Sequence, residues 1–153
     1  MTAMRRITLF IIALLAISSL SAQTYKVGDV YSASGKKGVV FEVTADGKHG
    51  KIVALTEPKE VMTWAKAMEW GKQLKDGWCL PSRAELLTLF DVKDVVAPVV
   101  AREGDKLIIG SNSFYWAPDE FGVDFAWIVS LQYGSNGGSF KGNEFHIRAV
   151  SAF

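Results

Sequence analysis

Hydrophobic positions along the chain fall into one long apolar run at the start and shorter periodic stretches after it. Residues Ile7–Leu20 are apolar except for one threonine and two serines, with two arginines just before them and Ser21-Ala22 just after. A basic start, an apolar centre and small residues at the end are typical of a secretory signal peptide. We therefore predict a signal peptide over residues 1–22 and one mature domain over residues 23–153, with an uncleaved N-terminal anchor as the alternative.

The predicted signal peptide implies that the mature protein is secreted, to the periplasm or the cell surface. Its single cysteine, Cys79, lies far from the cleavage junction, so the chain lacks the thiol on which bacterial lipid anchoring depends. No later apolar run reaches the roughly 20 residues that a membrane-spanning helix needs. We therefore expect neither a lipid anchor nor a membrane span after cleavage.

Residues 23–55 follow a β pattern. Val39, Phe41 and Val43 alternate with the residues between them, as in a strand with one buried face, and glycine-containing turns separate three short β-rich runs. The predicted strands are Val27–Tyr31, Gly38–Thr44 and Lys51–Leu55. This part of the chain is therefore expected to form an N-terminal β-meander.

Two helices are expected in the middle of the chain. Apolar and small residues over Trp64–Leu74 recur at helical spacing behind Thr63, a candidate N-cap. Ser82 and Glu85 then fit a capping box, in which each side chain bonds to the other residue's backbone amide. Pro98 is expected to interrupt any helix in the stretch that follows, because proline lacks the amide hydrogen that a helix interior uses.

The β pattern returns after the helices. The candidate strands are Leu107–Ile109, Phe114–Trp116, Phe125–Leu131 and Phe145–Val150. Between them, Ala117–Asp124 and the glycine-rich Tyr133–Asn143 are expected to be connecting loops. Strands, then helices, then strands again in one chain predict the α+β class, with two helices packed on antiparallel sheets.

Composition narrows the classes of function. The chain has 17 basic and 16 acidic side chains, so there is no electrostatic reason to expect nucleic acid as a partner. One cysteine excludes a disulfide framework and a multi-cysteine zinc site. The two histidines lie far apart in the sequence, so few residues are available to ligate a metal or to activate a nucleophile. We therefore expect no enzymatic activity, no metal site and no cofactor.

One segment carries a family resemblance. Residues Gly77–Leu86 read GWCLPSRAEL, which resembles the G-W-x-L-P-[ST]-x-x-E-L signature of the collagen-like-protein C-terminal (Lcl-C) domains and the related major-paralogous domains of secreted bacterial proteins. Further similar segments occur in the family's order at Thr63–Ala67, Phe114–Trp116, Ala126-Trp127 and Ile147–Val150. The matching region spans residues 56–153, and it departs from the family pattern at Ala117-Pro118, where the family usually has serines.

The resemblance implies a C-type lectin-like fold, in which two helices pack against antiparallel sheets and the chain ends lie close together. It also implies a role in surface attachment or in glycan or protein binding. This functional part is an analogy, because one fold hosts many functions.

The candidate ligand contacts lie in the two predicted connecting stretches of the C-terminal half. Loops on a rigid scaffold commonly carry binding residues, and these two offer aromatic rings beside groups that can form hydrogen bonds. The candidates are Asp119, Glu120, Phe121, Asp124, Tyr133, Asn136, Asn143 and Glu144. The alternative is that these residues only connect strands.

A lectin-like fold raises the question whether the protein binds calcium. Asp119, Glu120 and Asp124 could begin a Ca²⁺ site, since carboxylates are its usual ligands. The Glu-Pro-Asn, Gln-Pro-Asp and Trp-Asn-Asp segments of sugar-binding members are absent, so a solvated loop is the favoured interpretation. Cys79 is expected to be a small buried hydrophobic residue, and Arg148 the buried partner of a carboxylate.

The sequence therefore predicts a secreted, non-enzymatic binding module that recognises a glycan or a protein surface through its C-terminal loops. A structural or assembly subunit is the first alternative, because the N-terminal meander offers a sheet edge for pairing. An uncharacterised enzyme is the second, and a deep pocket with perturbed titratable groups would favour it.

Overall fold

The structure of the protein is a computed structural model that describes residues 22–153. The predicted signal peptide, residues 1–22, lies outside the described residues except for Ala22, so its cleavage stays a prediction. Across residues 22–153, no helix combines the length and the apolar character needed to cross a membrane.

The described part of the chain folds into two α-helices and ten β-strands, so the predicted α+β class is confirmed. The helices are α1 (Trp64–Lys72) and α2 (Arg83–Glu103). The strands are β1 (Val30–Ala33), β2 (Lys36–Val43), β3 (Gly50–Ala54), β4 (Met62–Thr63), β5 (Trp78–Cys79), β6 (Phe114–Glu120), β7 (Phe125–Ser130), β8 (Asn136–Phe140), β9 (Glu144–Phe145) and β10 (Val150–Ala152).

The strands form three antiparallel sheets. Strands β1, β2 and β3 are consecutive neighbours, as predicted for the N-terminal meander, and the sheet continues through β10 to β5. The other two sheets are the three-stranded β6-β7-β8 and the pair β4-β9. Because β10 lies directly beside β3, the end of the chain returns to the first residues that the structure describes, and the ring centroid of Phe153 is 5.2 Å from that of Tyr25.

The main core lies where α2 packs between the two larger sheets. Leu86, Leu89 and Val100 of α2 join Phe41 of β2 and Val129 of β7 in one buried cluster. A second cluster lies on the opposite face of the three-stranded sheet, against α1, with its members being Ala67, Leu80, Trp116, Ala126 and Ile147. The three-stranded sheet therefore has a helix on each face.

The start of α2 is fixed by the capping box that the sequence predicts. The backbone N–H of Glu85 donates to the Ser82 hydroxyl oxygen at 3.1 Å, and the Ser82 N–H donates to the Glu85 carboxylate at 3.0 Å. The helix then runs 21 residues, through Pro98. The predicted interruption at Pro98 is wrong: burial of Val96, Ala97 and Val100 around it offsets the roughly 3 kcal/mol that an interior proline costs.

Each of the two stretches predicted to be loops contains strand residues, which is a second correction. Strand β6 continues through Glu120, leaving a turn of four residues before β7, and Asn136–Phe140 forms β8 although it contains two glycines. Pairing with β7 supplies the backbone hydrogen bonds that compensate for the poor β propensity of glycine and asparagine. Leu107–Ile109, predicted as a strand, is irregular chain.

Cys79 is also placed differently from the prediction. It lies in β5, at the edge of the five-stranded sheet, and its side chain is exposed instead of buried. A two-residue edge strand has a neighbouring strand on one side only, so it is less well covered. The local sequence, with Trp78 and Leu80 beside Cys79, does not indicate that this residue lies at a sheet edge.

Candidate functional site

The first turn of α2 meets the outer part of the three-stranded sheet through Arg83. The guanidinium carbon of Arg83 lies 3.8 Å from the centre of the Trp127 ring on β7. Its Nε donates a hydrogen bond of 2.8 Å to the side-chain oxygen of Asn136 on β8. Its backbone N–H donates a bond of 2.8 Å to the carboxylate of Asp119 on β6. One helical residue thus contacts all three strands.

Phe121 completes this arrangement from the turn between β6 and β7. Its ring stands edge-on to Trp127, with 4.7 Å between ring centroids and 86° between the planes. It lies over Gly138, where a Cβ atom would collide with the phenylalanine ring. We call Arg83, Asp119, Phe121, Trp127 and Asn136 the Arg83 site.

An open cleft of about 410 Å³ runs along the Arg83 site. Its walls come from the start of α2 on one side and the sheet on the other. The lining residues are Ser82, Arg83, Ala84, Leu87, Asp119 and Trp127. The charges at the cleft balance, since Arg83 is cationic and Asp119 anionic, and the remaining lining is polar or apolar without charge.

The sheet continues beyond the Arg83 site as an exposed aromatic surface. Trp127 pairs with Gly138 and Phe125 pairs with Phe140 across β7 and β8. Residues two apart on a strand and residues directly opposite share a face, so these side chains lie on the same side as the Arg83 site. Phe140 and Phe121 are each 53% exposed. We call Phe121, Phe125, Trp127 and Phe140 the aromatic strip.

Three of the eight predicted contact residues come together at the Arg83 site: Asp119, Phe121 and Asn136. Tyr133 lies apart from them in the turn between β7 and β8, 72% exposed. The glycine that follows Tyr133 packs against Phe90 of α2, about two helical turns after Arg83.

The other four predicted contacts point elsewhere. Glu120 pairs with Lys141 at 3.3 Å, and that ammonium lies over the Trp64 ring of α1, on the opposite face of the sheet. Asn143 donates to the Ser139 hydroxyl at 3.1 Å. Asp124 is in the exposed turn before β7, and Glu144 is in β9 opposite Thr63.

The geometry gives no support to a calcium site at these carboxylates. Asp119 binds the first amide of α2, whereas Glu120, the next residue along the strand, faces the α1 side. Among residues 22–153, no three His, Cys, Asp or Glu side chains are grouped so that they could hold a metal ion.

Sequence reasoning missed two members of the site, Arg83 and Trp127. Trp127 lies in a segment that resembles the family and is not among the candidate contacts, yet it is half-buried with Arg83 stacked on it. Arg83 lies between the two residues of the capping box, Ser82 and Glu85, and the sequence offers no separate role for it. Its partners at positions 119 and 136 are 36 and 53 residues away, so no local pattern could have identified them.

The strongly shifted titratable groups form a separate cluster around Arg148. Arg148 is 1% exposed and donates to Glu57 at 3.0 Å, which confirms the expected buried carboxylate partner. Burial raises the pKa of Glu57 to about 7, against the lowering effect of Arg148. Burial also raises the pKa of Tyr115, whose hydroxyl donates to Glu57, and lowers that of His146.

This cluster holds chain segments together. Besides Glu57, Arg148 donates to the backbone oxygens of Ala54 and Asp105, each at 2.8 Å. The arginine thus joins the end of β3 to the chain just after α2. Burial of the cluster, and not the bonds of Arg148, is the main cause of the pKa shifts of Glu57, Tyr115 and His146.

No protein-family model matches the chain, and no curated protein is significantly similar to it. The functional assignment therefore depends on the geometry of the described residues.

Proposed function

We propose that the protein is a secreted, non-enzymatic binding module that holds an uncharged glycan at the Arg83 site and along the aromatic strip. The observation that carries this proposal is the set of exposed aromatic rings fixed beside hydrogen-bonding groups. Phe121 is over half exposed, yet its position is determined by Trp127 and Gly138. A ring held in place binds with little loss of conformational entropy.

The chemistry of the site suits a polyhydroxylated ligand. The C–H faces of a sugar ring pack on aromatic rings, while its hydroxyl groups bond to amide, guanidinium and carboxylate groups such as those of Asn136, Arg83 and Asp119. Because the charges of Arg83 and Asp119 balance, the cleft has no net preference for an ionic ligand. The cleft volume of about 410 Å³ is that of a small-ligand site.

Binding is favoured over catalysis because the polar groups in the cleft already have structural partners. The Ser82 hydroxyl accepts the capping bond, and Asp119 accepts the first amide of α2. A nucleophile needs an adjacent base, and a general base needs a free lone pair facing the substrate. The Ser82 hydroxyl is bound to the helix backbone and not to a base, and the second oxygen of Asp119 stays available for a hydrogen bond from a ligand hydroxyl.

We also propose the C-type lectin-like fold and the Lcl-C resemblance as the finer classification. Two features support it: the antiparallel sheets packed with two helices, and the meeting of Tyr25 with Phe153 at the two ends of the described chain. Secretion to the periplasm or cell surface without a lipid anchor belongs to the same proposal, and the signal-like residues 1–22 support it.

A glycan array, with and without calcium, tests the ligand class. We expect the parent protein to bind neutral glycans equally well in both conditions, and the Phe121→Ala variant to lose most of that signal. Val123→Ala is the matched control, because Val123 lies in the same turn and is 88% exposed. An array without signal, or equal signals from both variants, contradicts the glycan proposal.

A protein ligand is the alternative for the same surface. Capture of a protein from the producing cells by the parent but not by Phe121→Ala, together with an array without signal, would favour it. A structural or assembly role is a second candidate, and a free sheet edge favours it. The sequence pattern favours the edge of the N-terminal meander for this role, whereas β8 is a sheet edge whose outward backbone groups, apart from the Phe140 oxygen, lack partners among the described residues.

A further inference from the structure

Strand β8 is the edge of the three-stranded sheet, and the register shows which of its backbone groups face outward. The Ser130 N–H donates to the Ser135 oxygen, and the Lys141 N–H donates to the Asp124 oxygen, each at 2.8 Å. Antiparallel ladders alternate between bonded and non-bonded pairs. Gly137 and Ser139 therefore bond to β7, and the N–H and C=O groups of the other β8 residues point away from the sheet.

These outward groups are open for pairing. Among the described residues, only the Phe140 oxygen has a partner, the Asn143 N–H at 2.9 Å, whereas both backbone groups of Asn136 and Gly138 and the N–H of Phe140 have none. Natural edge strands are usually protected by lysine, proline or inward charges. Strand β8 reads NGGSF and has none of these.

We propose that a second copy of this chain pairs with the β8 edge, antiparallel and about a two-fold axis at Gly138. The two three-stranded sheets then become one six-stranded sheet. In this register Gly138 faces Gly138 of the other copy, and Asn136 faces the other copy's Phe140. The outward backbone groups of β8 that lack a partner gain one, and the Phe140 oxygen accepts a second bond.

The charge distribution favours a second copy as the occupant. Strand β8 has no charged residue, so two copies meet without like-charge repulsion. Paired residues in an antiparallel sheet share a face, so the other copy's Phe140 comes beside Asn136, whose side chain holds Arg83.

The glycines allow the two edges to approach closely. The two-fold axis passes between the two Gly138 residues, and at Gly137 a Cβ atom would meet nothing within 4 Å. The copies are related by an axis perpendicular to the sheet, so both Arg83 sites lie on the same face. A dimer of this kind would present two binding sites side by side to a repeating polymer and gain from bivalency. The pairing itself does not depend on what the Arg83 site binds.

Sedimentation velocity of the mature protein, from low micromolar to near-millimolar concentration, tests the proposal. We expect the parent to reach twice the monomer mass and Gly137→Lys to remain monomeric. The lysine fits the single copy because the space around Gly137 is open, and it places a charge at the paired edge. Gly110→Lys is the matched control, since Gly110 has equally open space and lies outside β8; it should dimerise like the parent.

Hydrogen exchange of the Gly138 amide supplies an independent measurement. Its N–H points outward in one copy, so it should exchange slowly in the dimer and at least tenfold faster in Gly137→Lys. A parent protein that stays monomeric throughout, or that dimerises with a fast Gly138 amide, overturns the proposal. Dissociation caused by Ser32→Asp on β1 and not by Gly137→Lys would also overturn it, because it would place the contact at the meander edge.

Discussion

Replacing Arg148 by methionine should destabilise the protein more than any exposed substitution. The guanidinium is 1% exposed and bonds to Glu57, Ala54 and Asp105 at 3.0, 2.8 and 2.8 Å. Methionine occupies a similar volume but donates no hydrogen bond. Arg148→Met therefore leaves a buried carboxylate without its cation and two backbone oxygens without a donor.

The size of the effect follows from these lost contacts. Removing one partner of a buried ion pair costs about 3–5 kcal/mol, because the remaining buried group must either stay charged without its partner or take up a proton. Glu57→Gln keeps an acceptor for Arg148 and should cost only about 1–3 kcal/mol. The double variant Arg148→Met/Glu57→Leu should be more stable than Arg148→Met alone, because it removes the orphaned carboxylate together with its partner.

The same pair makes stability depend on pH. Glu57 has its pKa raised from 4.5 to about 7 in the folded protein, so the folded state binds this proton more tightly than the unfolded state. The stabilising contribution is complete below pH 4.5 and is lost as the pH rises through 7, by at most about 3 kcal/mol. His146 acts in the opposite direction, because burial lowers its pKa and its contribution is lost as the pH falls below 6.5.

Urea unfolding of parent and variants at several pH values measures both effects. The difference between parent and Glu57→Gln isolates Glu57, since His146 is present in both. We expect that difference to shift in favour of Glu57→Gln between pH 4.5 and 7. If Arg148→Met unfolds at the parent's midpoint with an unchanged slope, or if the difference does not vary with pH, the role assigned to this cluster is wrong.

Three shorter predictions concern the core, the helix cap and export. Leu80 is 9% exposed and packs against Gly71 of α1. The substitution Leu80→Ala should lower the free energy of unfolding by about 2–5 kcal/mol, and a variant that melts like the parent would show that the segment is not core. Ser82→Ala should cost about 1 kcal/mol through the lost bond to Glu85, and an unchanged urea midpoint would contradict this. The intact mass of the exported protein should correspond to a start at Gln23, which a membrane-bound species with the full N-terminus would contradict.

The parts of the fold that the sequence predicted are those with a local signal. The capping box of Ser82 and Glu85 involves residues three apart, and the meander pairs neighbouring strands across short turns. By contrast, the passage of α2 through Pro98 depends on how the surrounding helix face is buried. The assignment of Asn136–Phe140 to a strand depends on pairing with β7, which outweighs the glycines.

In the candidate site, too, only the residues with a local sequence signal could be predicted. Phe121 and Asn136 could be selected from the sequence because an aromatic ring or an amide in a polar stretch suggests contact with a ligand. Arg83 and Trp127 could not, because they form a site only after α2 packs on the sheet. Sequence reasoning also placed Glu120 with Asp119, although alternation along β6 sends the two carboxylates to opposite faces of the sheet.

Isothermal titration of two alanine variants with a glycan identified on the array tests the central claim most directly. Gly138→Ala displaces the Phe121 ring from its position over β8 without removing it, whereas Gly137→Ala adds the same methyl group in open space on the next residue. We predict that Gly138→Ala binds at least about tenfold more weakly, or 1.4 kcal/mol, while Gly137→Ala binds like the parent. Equal affinities for both variants would contradict a binding site built on Phe121 and Trp127.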